Sequence, residues 1–193
     1  MSTEDGSPVE VYRRLPAMGE PELAHALFPG GRVLDLGAGT KMLAAVRSAR
    51  THRARIEDLD LAERFDVVLL ASNLVNTPDT ALRHALLAAS RRHLADGGRV
   101  LLQWHEPAWF DGLSAGARLD GTIGPLSSSL EVHDLADGVL SATVTYRDAA
   151  RVWTQDFRAA RLSAAELEDA LEEAGLRPVP PHPAPSWVLA AAG

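Results

Sequence analysis

The 193-residue sequence contains no cysteine, which removes disulfides, thiolate nucleophiles and thiolate metal sites together. It has no excess of positive charge either: 19 Lys and Arg against 26 Asp and Glu leave a formal net charge of −7. Sequence-independent binding to nucleic acid needs cations that neutralise phosphates, and no Lys/Arg-rich run with interleaved aromatics supplies them. No nucleic-acid partner is therefore expected. No apolar run approaches the roughly 18 residues of a membrane-spanning helix, and Met1–Glu10 is polar and acidic, unlike a signal peptide. These absences predict no membrane partner and a cytoplasmic location. Metal chemistry also lacks a constellation: Glu22 and His25 have no third ligand, and His84 and His93 are too far apart on one helix to converge. Ser127, Ser128 and Ser129 lack the strand–turn–helix setting of a hydrolase nucleophile.

What is present is an ordinary globular composition, 46% hydrophobic and 23% charged, in a length that suits a single domain over residues 1–193. Met1–Glu10 is expected to be a disordered tail. Leu23 and Leu27 share a face and predict a helix over Glu20–Phe28, ended by Pro29-Gly30-Gly31. Arg32–Leu36 then reads as a buried strand. Phe65–Ala71 is apolar on both faces, as a parallel strand covered by helices must be. Leu82, Leu86, Leu87 and Leu94 follow helical spacing from Thr80 to Leu94, Asp96-Gly97-Gly98 is read as the helix stop, and Arg99–Trp104 is the next strand. This alternation predicts an α/β fold: three layers around a mainly parallel Rossmann-like sheet, with right-handed crossovers. From residue 127 to 160 the period becomes two, Leu140, Ala142, Val144 and Tyr146 alternating with polar residues, which predicts an antiparallel meander with turns at Asp137-Gly138 and Asp148–Ala150. Ser163 and Glu166 form a capping box for a helix that Gly175 ends, and Ser186–Ala191 is the expected last strand.

Asp35-Leu36-Gly37-Ala38-Gly39-Thr40 is the most informative stretch, because a strand ending in Gly-x-Gly lets a ligand touch the backbone. The dinucleotide fingerprint would need a glycine where Met42 stands, and the phosphate-binding loop needs five residues' spacing before its Gly-Lys. Neither pattern fits, and a tight strand-to-helix turn with no ligand stays open. The stretch Val33–Thr40 resembles the first motif of class I S-adenosylmethionine-dependent methyltransferases. That resemblance implies a single methyltransferase-like domain that moves a methyl group from S-adenosylmethionine to a small-molecule acceptor. Gly37, Ala38 and Gly39 would lie along the methionyl part of the cofactor with Met42 counted among the contacts, and Asp35 would orient the loop. Ile56, Glu57 and Asp58 resemble the adenine loop, with the division of apolar and acidic roles open by a residue. Ser72 and Asn73 match the loop that faces the methyl group. His105, after strand Arg99–Trp104, is the candidate general base, and a loop histidine satisfied by a backbone group is the equally weighted alternative. Trp104, Trp109 and Phe110, with the meander, are candidates for the acceptor pocket, against core packing. The oligomeric state is not readable.

The sequence departs from the family pattern at one place. A second strand ending in an acid for the ribose hydroxyls is expected about 20 residues beyond the glycines. Lys41–Arg47 instead resembles a later helix, so that the first crossover helix and the second strand look absent after Thr40. A true deletion and a segment missing from an abrupt junction both stay open. If the deletion is real, the alternative is a non-catalytic, methyltransferase-like binding or scaffold protein.

Overall fold

Runs of apolar residues become strands buried on both faces in the computed structural model, which describes residues 8–17, 19–37, 52 and 54–193. The first sheet contains β1 (Val33–Leu36), β2 (Phe65–Leu70), β3 (Leu94–Gln103), β8 (Leu176–Pro178) and β9 (Trp187–Ala192), in the order β1-β2-β3-β9-β8. β1, β2 and β3 pair in parallel, with Leu36 beside Leu70 and Leu70 beside Leu102. β9 is antiparallel to both β3 and β8, so β8 runs with the other three and the sheet is mainly parallel. Side chains alternate between its two faces. Val68, Leu70, Val100, Leu102, Val188 and Ala190 join one core cluster with Leu86 and Leu87 of α3 (Thr80–Arg92) and Leu167 and Leu171 of α5 (Ala164–Glu173). Val67, Leu69, Leu101 and Leu189 join another with Ala24, Leu23 and Leu27 of α2 (Glu20–Leu27). Three layers result, as expected from the sequence.

Local chemistry sets the helix ends. The Asp79 carboxylate accepts from Leu82 N at 3.0 Å to start α3. The Ser163–Glu166 capping box is formed in full at the start of α5, and Gly175 comes after it with φ +72°. The expected stop of α3 at Asp96–Gly98 is a misreading. The helix ends at Arg92 with His93 as its cap, and Leu94–Gly98 already belongs to β3. Gly97, at φ +75°, lies in an irregularity where the register jumps from Phe65–Leu94 to Val67–Arg99.

A second, antiparallel sheet is β4 (Arg118–Ile123), β5 (Leu126–Ala136), β6 (Val139–Arg147) and β7 (Val152–Ala160). The meander expected over 127–160 therefore starts one strand earlier. Its apolar face, with Val132, Leu140, Ala142 and Ala159, packs with Phe110 and Leu113 from α4 (Pro107–Asp111) and the residues after it. Its other end closes on Val11 of α1 (Val9–Tyr12), which is 0% exposed beside Leu126 and Tyr146. Of the expected tail Met1–Glu10, only Pro8, Val9 and Glu10 are described, and Val9 and Glu10 lie in α1. Residues 1–7 lie outside the described residues, while Glu10 pairs with Arg151 on the second sheet at 2.8 Å. Among the described residues no strand falls between Leu36 and Phe65, and no helix is long and apolar enough to cross a membrane. The stretch Lys41–Arg47 and its junction with Thr40 lie outside the described residues.

Candidate functional site

The parallel strands β1, β2 and β3 end side by side, and the loops that leave them meet at that edge. After β1 comes Gly37, exposed, with φ +82°. A β-carbon there would stand 3.2 Å from Leu74 Cδ1 and 3.4 Å from Ile56 Cδ1. The left-handed backbone favours glycine there, and a β-carbon would also press on the Leu74 methyl, which would have to give by a few tenths of an ångström. The contact brings together three stretches far apart in sequence: the glycine turn, the Ile56 turn and the loop after β2.

That loop is strained. Ser72 and Asn73 have φ of +60° and +54°, two successive non-glycine residues in the left-handed region. Three side chains hold it. Gln103, at the end of β3, accepts from Ser72 N at 2.8 Å. Arg83, from α3, donates to Val75 O at 2.9 Å and Thr77 O at 2.6 Å. Asn76, 1% exposed, accepts from His105 N at 2.8 Å and donates to His105 O at 3.2 Å and Ala160 O at 2.9 Å. One amide thereby ties the loop to the ends of β3 and β7.

His105 is held by its backbone while its ring stacks on Trp109, centroids 3.9 Å apart and planes 14° from parallel. Phe110 meets the same ring edge-on at 6.2 Å. Burial pushes the imidazole down to about 4, so it is neutral at pH 7. Trp109 also crosses Phe110 edge-to-face at 4.9 Å, and Phe110 is fully buried. Trp104 does not join this aromatic group; its indole donates to Pro185 O at 3.0 Å, and its ring belongs to the sheet core.

In the Ile56 turn the two acids differ. Glu57 is paired with Arg55, Nε to Oε1 at 2.7 Å, and its own backbone N–H, followed by Arg55, holds the carboxyl below the usual range. The Asp58 carboxylate is exposed and has no partner among the described residues. Asp35 lies on β1 opposite Leu69, half-buried and engaged. Of the residues singled out in the sequence, the structure thus gathers Gly37 and Ile56 with the loop of Ser72 and Asn73 at one edge. His105 is linked to that loop through Asn76. Ala38, Gly39 and Met42 lie outside the described residues. Among the described residues no group of three acids or histidines is arranged to hold a metal.

Sequence reasoning missed Asn76, Gln103 and Arg83. The available signal was weak: Gln103 is the first polar side chain after Val100–Leu102, and Asn76 interrupts an otherwise apolar Leu74-Val75.

No family model and no curated protein matches this sequence. Solved structures do match. The CcbJ methyltransferase from Streptomyces caelestis is 18% identical with a TM-score of 0.73, over 100% of this chain and 99% of that one. CalS10, an amino pentose methyltransferase from Micromonospora echinaspora solved with S-adenosylmethionine bound, is 19% identical with a TM-score of 0.63, over 89% and 88%. An S-adenosylmethionine-dependent methyltransferase from Clostridium acetobutylicum is 14% identical with a TM-score of 0.66, over 80% and 69%. The chain has the Rossmann-like fold of S-adenosylmethionine-dependent methyltransferases.

Proposed function

We propose that this protein transfers a methyl group from S-adenosylmethionine to a small-molecule acceptor. The observation that carries the reading is the cradle at Gly37, where an exposed left-handed glycine, Ile56 and Leu74 meet beside the strained Ser72–Asn73 loop. Such a surface, flat at the backbone and apolar at its rim, fits a thin cofactor at the carboxyl edge of an α/β sheet. When bound, the cofactor would supply an electrophilic methyl group on a sulfonium and leave as the neutral thioether S-adenosylhomocysteine, with the acceptor's proton passing to solvent.

The chain's own part is to bind and align. Gly37, Ala38, Gly39 and Met42 hold the methionyl part, with Asp35 orienting their loop. Ile56 packs on the adenine and Asp58 accepts from its amine, because Glu57 is already committed to Arg55. Ser72 and Asn73 present backbone groups towards the methyl group, and their strain marks a geometry maintained against its cost. In-line displacement gains most from aligned reactants, so a strong base is unnecessary. His105 suits that economy. With its pKa near 4 it is a weak proton acceptor, and its role is to accept a hydrogen bond that directs the acceptor's lone pair. Trp109, half-buried and stacked on His105, lines the acceptor's side of the site. The net charge of −7 and the likeness to an amino pentose methyltransferase support a small polar acceptor over nucleic acid.

Calorimetric titration with S-adenosylmethionine and S-adenosylhomocysteine tests the reading on a chain whose mass is verified as 20.6 kDa. Saturable 1:1 binding that Gly37→Val abolishes supports it. Absence of binding by the intact chain refutes it and leaves a non-catalytic relative of the same fold.

A further inference from the structure

We propose that Arg92 and His93, at the end of α3, are positioning residues that clamp the adenine loop from behind. The inference rests on the cofactor site described above and assigns it a part that neither residue's sequence context announced. The loop from Arg55 to Leu61 has no ladder of its own, only two tight turns, Asp58 N to Arg55 O and Leu59 N to Ile56 O, both 3.2 Å. A segment so poor in internal bonds needs outside partners to hold one shape.

Two consecutive residues provide them. Arg92 Nη2 donates to Leu59 O at 2.6 Å and to Glu57 O at 3.4 Å. His93, 0% exposed, accepts from Leu61 N at 2.9 Å through Nε2. Its Nδ1 lies 2.8 Å from Ala89 O, a carbonyl that can only accept, so Nδ1 carries the proton and Nε2 is free to receive the amide. The backbone carbonyl of His93 accepts from Phe65 N at 2.9 Å, which anchors the clamp to the start of β2. Arg92 Nε is buried without a partner among the described residues. A buried orphan donor is costly, and here the guanidinium head is fixed on the loop carbonyls rather than released to solvent.

The arrangement bears directly on recognition. Asp58, exposed and unpartnered among the described residues, sits between the two residues whose carbonyls Arg92 holds. Ile56, whose methyl lies against Gly37, begins the same turn. Fixing the carbonyls of Glu57 and Leu59 fixes where Ile56 and Asp58 stand, without Arg92 touching the cofactor.

The test is Arg92→Met, which keeps the apolar stem and loses the donors, alongside Arg92→Lys, which keeps charge and one donor. Three readouts are taken: the dissociation constant for S-adenosylmethionine, the split between KM and kcat, and amide exchange of residues 57–61. Arg92→Met is expected to weaken binding by about tenfold or more, the scale of one lost charge-assisted hydrogen bond, and to leave kcat at saturating cofactor within about twofold. Leu59 and Leu61 amides should exchange faster, and Arg92→Lys should recover part of both effects. If Arg92→Met does not fold, Arg92→Lys alone must still show weakened binding and faster exchange. Cofactor binding unchanged in the variants overturns the clamp and leaves the cofactor site standing. A wild-type chain that binds no cofactor overturns the site itself and the positioning role with it.

Discussion

Replacing Asn76 with alanine should cost the protein about 3–5 kcal/mol. The side chain is 1% exposed and makes three hydrogen bonds, to His105 N, His105 O and Ala160 O. Each is worth about 1 kcal/mol net, and a buried backbone group left without a partner costs about 1–3 kcal/mol. Three such groups span about 3–9 kcal/mol, and water entering the space of the lost amide offsets part of that cost, which places the sum in the lower part of the range. For a chain of this size about 1 kcal/mol moves Tm by about 2–4 °C, so a fall of about 10 °C is expected. The assay is thermal unfolding followed by near-ultraviolet circular dichroism, where Trp104 and Trp109 report on the end of β3.

A second variant separates lost bonding from lost volume. Asn76→Asp keeps the acceptor for His105 N but turns a carboxylate towards two carbonyl oxygens. Its carboxyl is expected to titrate higher in the folded than in the unfolded state. The penalty is then absent below the unfolded pKa, about 4, and grows to its full size as pH rises through the folded value. Asn76→Asp should accordingly approach wild-type stability in acid and fall to or below Asn76→Ala at pH 7. A shift under about 2 °C for Asn76→Ala would refute the reasoning, since it would mean that the three bonds are not the ones holding β3, β7 and the loop together.

The remaining predictions concern the site. His105 has a folded pKa near 4, below its ordinary 6.5, so the unfolded chain binds the proton first and stability should fall as pH drops from about 6.5 to about 4; Tm against pH should flatten over that window in His105→Gln. Gly37→Ala should cost about 1–2 kcal/mol from the left-handed φ of +82° alone, and more through the 3.2 Å approach to Leu74, as read by urea unfolding. Asp58→Asn should weaken S-adenosylhomocysteine by about tenfold or more while improving the analogue whose adenine amine is replaced by a carbonyl. Equal weakening of both ligands would move Asp58 away from the amine. Ser163→Ala should cost about 1 kcal/mol by chemical denaturation through loss of the α5 cap.

Most of the fold was legible because each signal had one physical source. Phe65–Leu70 had to be a doubly covered strand, and Leu140–Tyr146 a half-buried one. Asp137 and Gly138 both take positive φ, +52° and +72°, as a two-residue hairpin turn demands. The misreadings came from signals with two sources. Gly97-Gly98 looks like a helix stop, but Gly97 serves the irregularity where β3 shifts register beside β2. β4 escaped notice because Arg118, Asp120 and Thr122 are exposed and Gly121 interrupts an edge strand in which Leu119 is itself 44% exposed. Glu10 looked like part of a tail because only the second sheet, far along the chain, gives it a partner in Arg151. The glycine turn and the Ile56 turn could be read as candidates, but their meeting at Gly37 is a tertiary fact.

What organises the site is mostly side chains that bond backbone. Gln103, Arg83 and Asn76 engage main-chain groups of the loops at the carboxyl edge, and Arg92 and His93 those of the segment from Glu57 to Leu61. Among the described residues, uncommitted carboxylates at the site are correspondingly scarce. Residues 36–56 contain neither Asp nor Glu, Glu57 is neutralised by Arg55, and His105 is uncharged at pH 7. A reaction that had to stabilise a developing cation would be poorly served by so few free carboxylates. Displacement at a sulfonium makes the opposite demand, because its positive charge is present at the outset and disperses as the methyl group leaves. Rigid loops that fix two reactants in line are then worth more than added charge. The strain at Ser72 and Asn73, and the polar side chains committed to holding that loop, accord with such a requirement. On the proposed reading, Asp58, the carboxylate of the Ile56 turn with no partner among the described residues, is the residue whose loss should change cofactor selectivity, because one carboxylate cannot serve both the adenine amine and the ribose hydroxyls.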